Sequence, residues 1–155
     1  RYPPEVKPGS ITRDMVLNVD FASLFLDLAG LEIPAAFQGR SFRPILQGRT
    51  PSDWRQSMYY RYLMHKAHHN VYAHYGVRTH RHKLIYYYSD ALGQVGAEGD
   101  ACAPEWELFD LEKDPCEMKN SYGDPAQAGL VKTLKSELHR LQAEVGDRRY
   151  EQDTD

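Results

Sequence analysis

The sequence predicts an α+β domain, a small antiparallel sheet of about four strands packed by a C-terminal amphipathic helix. Three observations carry that reading. Aromatic and β-branched runs recur at 58–63, 75–79, 83–88 and 106–111. The second and third runs are separated only by His80-Arg81-His82, which favours a hairpin. Finally, Leu130, Leu134, Leu138, Leu141 and Val145 recur at helical spacing with Lys132, Lys135, Glu137, Arg140 and Glu144 on other faces.

Taken in order, the first fifteen residues form a connector, because Pro3, Pro4, Pro8 and Gly9 interrupt regular structure. Over 20–30 the residues Phe21, Leu24, Phe25 and Leu28 fall on one helical stripe. Asp20 is placed to cap its start and Gly30 to end it. Ile33-Pro34 forbids continuation, and Gln38-Gly39-Arg40-Ser41 reads as a turn before a single helical turn at Phe42-Arg43-Pro44-Ile45-Leu46. The strands come next, with the 89–104 loop punctuated by Gly93, Gly96, Gly99 and Pro104. Lys113-Asp114-Pro115 makes a turn after the fourth run. The last helix spans about 125–145 and stops at Gly146, leaving a charged tail at 147–155 that is expected to fray.

Composition excludes several classes. The chain has 155 residues, 41% hydrophobic, enough for a domain that buries roughly two-thirds of its unfolded surface without disulfides. Nineteen Lys plus Arg against 22 Asp plus Glu leave a formal charge of −3, which argues against nucleic acid as a partner. No apolar run is long enough to span a bilayer, and the first twenty residues lack the pattern of a signal peptide. The chain opens at Arg1-Tyr2-Pro3-Pro4 without an initiator Met, which points to a sequence cut from something longer or processed. Cys102 and Cys116 flank a strand whose typical length is about 17–20 Å, so both read as free thiols.

The densest chemistry lies at His65-Lys66-Ala67-His68-His69-Asn70-Val71-Tyr72-Ala73-His74, with Arg78 beyond it. No carboxylate or Cys partners complete a transition-metal site there, so no metal ligand is assigned. Two readings stay open, a polar pocket wall donating to an anionic or hydroxylated ligand, and a solvated His-rich loop. Asp110, Glu112, Asp114 and Glu117 form one acidic cluster without EF-hand spacing, better read as a solvated turn than as a cation site. Ser41 and Ser57 lack a nucleophile elbow, no phosphate-cradling GxxxxGK[ST] occurs, and no catalytic residue is assigned. Tyr59, Tyr60, Tyr62, Tyr86, Tyr87 and Tyr88 could stack on sugars, although strand alternation turns half of them into core.

A family resemblance joins these fragments. Asn18-Val19-Asp20 before Leu24-Phe25-Leu26-Asp27-Leu28-Ala29-Gly30, then Gln38-Gly39-Arg40-Ser41-Phe42, His74-Tyr75-Gly76-Val77-Arg78-Thr79, Lys83-Leu84-Ile85 and Glu107-Leu108-Phe109-Asp110-Leu111-Glu112-Lys113-Asp114-Pro115 occur in that order. Together they resemble the C-terminal region of type I sulfatases of the alkaline-phosphatase-like superfamily, most closely the N-sulfoglucosamine sulfohydrolase-like group. The resemblance implies that 1–48 is the connector and helix ending a larger α/β domain, and that 49–146 is the smaller C-terminal subdomain. It implies hydrolysis of sulfate esters or sulfamates, sulfated carbohydrate as substrate, and a missing N-terminal sulfatase domain as partner.

Calcium and formylglycine are implied for the full-length family enzyme but for no residue of this chain. The formylglycine motif C/S-x-P-S/A-R is absent, since Cys102-Ala103-Pro104-Glu105-Trp106 carries Glu and Trp where Ser or Ala and Arg belong. Without that nucleophile and a cation to stabilise the sulfuryl oxygens, the chain alone is expected to be inactive. By motif position, His74 and Arg78, with His69 and His68 behind them, are the expected contacts to the sugar or its anionic groups. The alternative for Arg78 is a cross-strand salt bridge. A periplasmic, lysosomal or extracellular setting is implied by the resemblance only. The alternative function is a stand-alone carbohydrate-binding or interaction module derived from the same subdomain.

Overall fold

A computed structural model describes residues 2–150 and residue 153. The chain divides into two compact units, Arg1–Gln56 and Ser57–Asp155.

In the first unit, α1 (Asp20–Leu28) and the short α2 (Arg43–Leu46) meet through Leu24, Phe42, Ile45 and Trp54, all buried. Asp20 is not the cap of α1. Val19 holds that position without a side-chain bond, and the fully buried Asp20 carboxylate turns instead toward the Leu17 and Arg40 N–H groups at 2.7 and 2.9 Å and the Arg55 guanidinium. A buried charge is tolerated only when its lone pairs are satisfied, and here four donors converge on it. Gly39 explains the turn that precedes α2. A Cβ there would lie 1.9 Å from the Val19 carbonyl oxygen, so only glycine admits the approach that lets Ser23 Oγ donate to the Gly39 carbonyl at 2.8 Å.

The expected apolar stripe of α1 is only partly used. Leu24 is buried, whereas Phe21 and Phe25 are 44% and 62% exposed. Residues 49–56, grouped with the strands in sequence, join the first unit. Trp54 Nε1 donates to the Met15 carbonyl at 3.0 Å, and Arg55 pairs with Asp20.

The second unit is a four-stranded antiparallel sheet in the order β1 (Ser57–Tyr62), β2 (His74–Thr79), β3 (His82–Tyr87), β4 (Glu105–Asp110), followed by a 3₁₀ turn (Pro125–Gln127) and the helix α3 (Ala128–Glu144). Each strand starts one residue before the run read from sequence. The β2–β3 turn lacks Asn-Gly because Thr79 Oγ1 replaces it, accepting from the Arg81 and His82 N–H groups at 3.2 and 2.8 Å. Register places Tyr62, His74 and Tyr87 side by side, as it does Tyr60, Gly76 and Ile85. With alternation, Tyr59, Tyr75, Val77, Leu84, Tyr86 and Leu108 face α3, where Leu134 and Leu138 complete the core. Tyr60, Tyr62, His74, Arg78, Tyr87 and Glu107 project from the other face.

The tail expected to fray is, where described, tied to the sheet. Asp147 accepts from the Tyr59 hydroxyl and from Arg61 at 2.6 Å, the Tyr150 ring stacks on Tyr88, and the Asp153 carboxylate accepts from the Tyr75 hydroxyl at 2.6 Å. The remainder of that expectation, at 151, 152, 154 and 155, lies outside the described residues.

Candidate functional site

His74 opens β2 at the centre of an aromatic cradle. Its ring is stacked on Tyr62 at 5.4 Å and tilted against Tyr87 at 4.9 Å, with Tyr60 edge-on at 5.8 Å. Nδ1 lies 2.7 Å from the Tyr72 carbonyl, which can only accept, so Nδ1 carries the proton. Burial holds the imidazole below its usual range, against the pull of that carbonyl and with help from Lys83. The neutral ring therefore presents Nε2 as an acceptor, suited to a sugar hydroxyl or amide rather than to a sulfate.

Arg78 adds a guanidinium to this face. It stands four residues along the same strand and face, opposite Met58 and Lys83, exposed, and with no ion-pair partner among the described residues. The expected alternative of a cross-strand salt bridge is not what the structure shows. Four residues of strand span about 13 Å, so His74 and Arg78 share a face without converging on a single ligand group.

His68 and His69 lie in the exposed loop leading into β2, their rings 5.1 Å apart edge to face. Among the described residues no hydrogen bond or ring contact joins them to His74. His65, in the same cluster, is structural. It is fully buried, its Nδ1 accepts the Ala73 N–H at 3.2 Å and its Nε2 faces the Asp100 carbonyl at 3.2 Å. That buried imidazole links the loop before β2 to the 89–104 loop, and the Glu98 N–H bond to the His65 carbonyl, 2.7 Å, reinforces the link.

Glu107 on this face was not read as a site residue, and Tyr87 was read only as one of six tyrosines that could stack on sugars. Glu107 is half-buried, and burial, with the nearby Glu105 and Glu117 charges, raises its carboxyl above the usual range despite Tyr87 and Lys83. Tyr87 is pushed up to about 12 by burial and then by the Glu107 charge. Their signal lay in register, since Glu107 sits opposite Ile85 one pleat from Tyr87.

The acidic cluster has other employment. Asp110 takes Arg81 at 2.8 Å, which holds its carboxyl at about 2, Asp114 accepts the Lys119 N–H at 2.8 Å, and Glu117 pairs with Lys83 at 2.6 Å. Among the described residues no three His, Cys, Asp or Glu side chains are grouped to hold a metal ion. Cys102 is free and exposed, and Glu105 and Trp106, three and four residues on, belong to β4. No helix among the described residues is long and apolar enough to cross a membrane.

Comparison with known proteins places these features in a family. Residues 1–144 match the family model described as N-sulphoglucosamine sulphohydrolase, C-terminal. An N-acetylglucosamine-6-O-sulfatase of Bacteroides thetaiotaomicron is 41% identical over 149 residues, covering 95% of this chain and 25% of the relative. A solved structure of a protein with its substrate D-glucosamine-2-N,6-O-disulfate superposes with a TM-score of 0.85 at 38% identity, covering 99% of this chain and 29% of the other. A phosphonate monoester hydrolase of Silicibacter pomeroyi superposes with a TM-score of 0.71 at 27% identity, covering 94% and 28%. The chain thus spans 25% to 29% of the length of these proteins.

Proposed function

The chain belongs to the N-sulphoglucosamine sulphohydrolase C-terminal family, and from that premise we propose that it forms part of the substrate-pocket wall of a sulfatase acting on sulfated carbohydrate. In this reading the nucleophile and its cation are supplied by a larger N-terminal sulfatase domain, and the chain alone releases no sulfate. The observation that carries it is Arg78, an exposed guanidinium with no ion-pair partner among the described residues, on the same sheet face as the His74–tyrosine cradle.

The division of labour rests on the chemistry. Arg78 offers a planar fork of donors to a sulfate or carboxylate of the sugar, and the neutral His74 accepts from a hydroxyl or amide. Tyr62 and Tyr87 hold the imidazole plane. His69 and His68 line the approach from the preceding loop. These contacts bind and orient the sugar and leave the proton and sulfuryl transfers to groups elsewhere. The sulfatase and the glucosamine disulfate complex named above support this substrate class.

The test is steady-state hydrolysis of glucosamine 6-sulfate by the complete enzyme carrying Arg78→Ala or His74→Ala. A charge-assisted bond of about 1.5–3 kcal/mol predicts a fall in kcat/KM of about ten- to a hundredfold for Arg78→Ala, mostly through KM, with an unchanged melting temperature. Wild-type kcat/KM in both variants would overturn the assignment. Sulfate release by the 155-residue chain alone would overturn its inactivity.

A further inference from the structure

His74 is one end of a line of hydrogen bonds that runs back through the loop before β2. Its Nδ1–H donates to the Tyr72 carbonyl at 2.7 Å. The same peptide group carries the Ala73 N–H, which donates to His65 Nδ1 at 3.2 Å. His65 Nε2 lies 3.2 Å from the Asp100 carbonyl, which can only accept, so Nε2 holds the proton and Nδ1 is left to accept. Every donor in the line thus points from His74 toward Asp100. Each group accepts on one side and donates on the other, an arrangement in which the bonds polarise one another.

The peptide between Tyr72 and Ala73 has little freedom to turn. Ala73 is fully buried and its carbonyl accepts the Ser89 N–H at 3.1 Å, while the Val71 carbonyl accepts the Lys66 N–H at 2.8 Å. Lys66, Asn70 and Ser89 hold φ of 49°, 50° and 52°. That left-handed region costs free energy for a residue with a side chain, and it persists where the surrounding bonds over-determine it. Tyr62 and Tyr87 fix the plane of the His74 ring, but a ring contact does not select which nitrogen carries the proton.

We propose that His65 is a positioning residue for His74, acting through the Tyr72–Ala73 peptide to fix the Nδ1–H tautomer and keep Nε2 an acceptor. The other tautomer would turn that acceptor into a donor, and a sugar amide N–H facing it would go unpaired. The effect of His65 on substrate rests on the reading of His74 as a sugar contact, whereas its effect on the tautomer does not.

Three substitutions separate the bonds. His65→Phe keeps a ring and removes both, His65→Gln can still donate to the Asp100 carbonyl but leaves the Ala73 N–H without its acceptor, and His65→Asn sets an amide oxygen where Nδ1 stands. Nitrogen-15 NMR of the complete enzyme labelled at histidine, with His74 identified by its loss in His74→Ala, reads the tautomer. Wild type and His65→Asn should show a protonated Nδ1 and a bare Nε2, and His65→Phe and His65→Gln a mixture of both tautomers. In hydrolysis of glucosamine 6-sulfate, KM should rise about two- to tenfold in His65→Phe and His65→Gln at unchanged kcat, the effect of losing one neutral hydrogen bond, and return to near wild type in His65→Asn. Circular dichroism checks folding, and the contrast of His65→Gln with His65→Asn decides alone if His65→Phe does not fold.

An unchanged His74 tautomer in His65→Phe and His65→Gln would overturn the proposal, as would a mixture in His65→Asn as large as in His65→Gln. If the tautomer shifted while KM stayed at wild type in these variants and in His74→Ala, the role of His65 would stand and the pocket wall fall. If His74→Ala raised KM while His65→Phe and His65→Gln left tautomer and KM unchanged, the pocket wall would stand and the role of His65 fall.

Discussion

Tyr60 of β1 lies across Gly76 of β2. A Cβ built on Gly76 would come within 2.8 Å of the Tyr60 hydroxyl oxygen and 2.6 Å of the Leu84 carbonyl oxygen. The tyrosine hydroxyl is buried there without a hydrogen-bond partner among the described residues, and burial pushes its ionisation well above the usual range. The sheet face that carries His74 and Arg78 is therefore flattened at its midpoint by a missing side chain, with the space given to an aromatic ring.

Gly76→Ala should consequently destabilise the sheet–helix unit by about 1–3 kcal/mol, the cost of overpacking against backbone that cannot retreat. Tyr60→Phe removes only an unsatisfied hydroxyl and should be neutral or stabilising by about 1 kcal/mol. Urea denaturation followed by circular dichroism distinguishes them. Equal losses in the two variants would mean that the hydroxyl is satisfied.

Asp20 gives the first unit its acid sensitivity. Burial alone would raise its carboxyl, yet the bonds from Arg55, Arg40 and Leu17 overcome burial and hold it below its ordinary 3.8. Its contribution is complete above that ordinary value and is lost as pH falls through the lower folded value. Asp20→Asn should cost about 3 kcal/mol at neutral pH by leaving Arg55 without its counter-charge. Trp54 fluorescence in a Trp106→Phe background reports this unit, and an unchanged urea midpoint at neutral pH would contradict the argument.

Glu107 works with the opposite sign. Its folded value is raised above the ordinary 4.5, so its contribution is complete below that value and is lost as pH rises through the folded value. Glu107→Gln should stabilise the protein at neutral pH and make no difference at the acid end. A variant less stable than wild type at pH 7 would show that the carboxylate is needed where it stands.

Asp147 tests whether the tail is structural. Its carboxylate accepts from both the Tyr59 hydroxyl and Arg61, and Tyr59 is raised by burial first and then by this neighbour. Asp147→Ala should cost about 1–3 kcal/mol and bring the Tyr59 ionisation down, followed by ultraviolet absorbance during an alkaline titration. No change in either quantity would restore a frayed tail.

Element types and their order were legible because they depend on neighbours a few residues apart. The leucine spacing of α3, the alternation within strands and the three-residue link between β2 and β3 are all local signals. The family was legible for a related reason, since the runs at 38–42, 74–79 and 107–115 are contiguous stretches that follow one another in order along the chain. The placement of His74 and Arg78 on one face also comes from period-two alternation.

Other features required partners distant in sequence. Asp20 reads locally as a helix cap, and only the return of Arg40 and Arg55 makes it a buried ion-pair centre. His65 and His68 look equivalent in a histidine-rich stretch, yet the Asp100 and Ala73 backbones claim one and leave the other in solvent. A charged tail looks solvated until Tyr59, Arg61 and Tyr75 supply bonds for it. What the sequence determined by itself was the periodicity that selects each element and its buried side. Only the tertiary structure decided which polar groups are buried, because the cost of removing a charge from water is met by donors and acceptors that separate elements bring together.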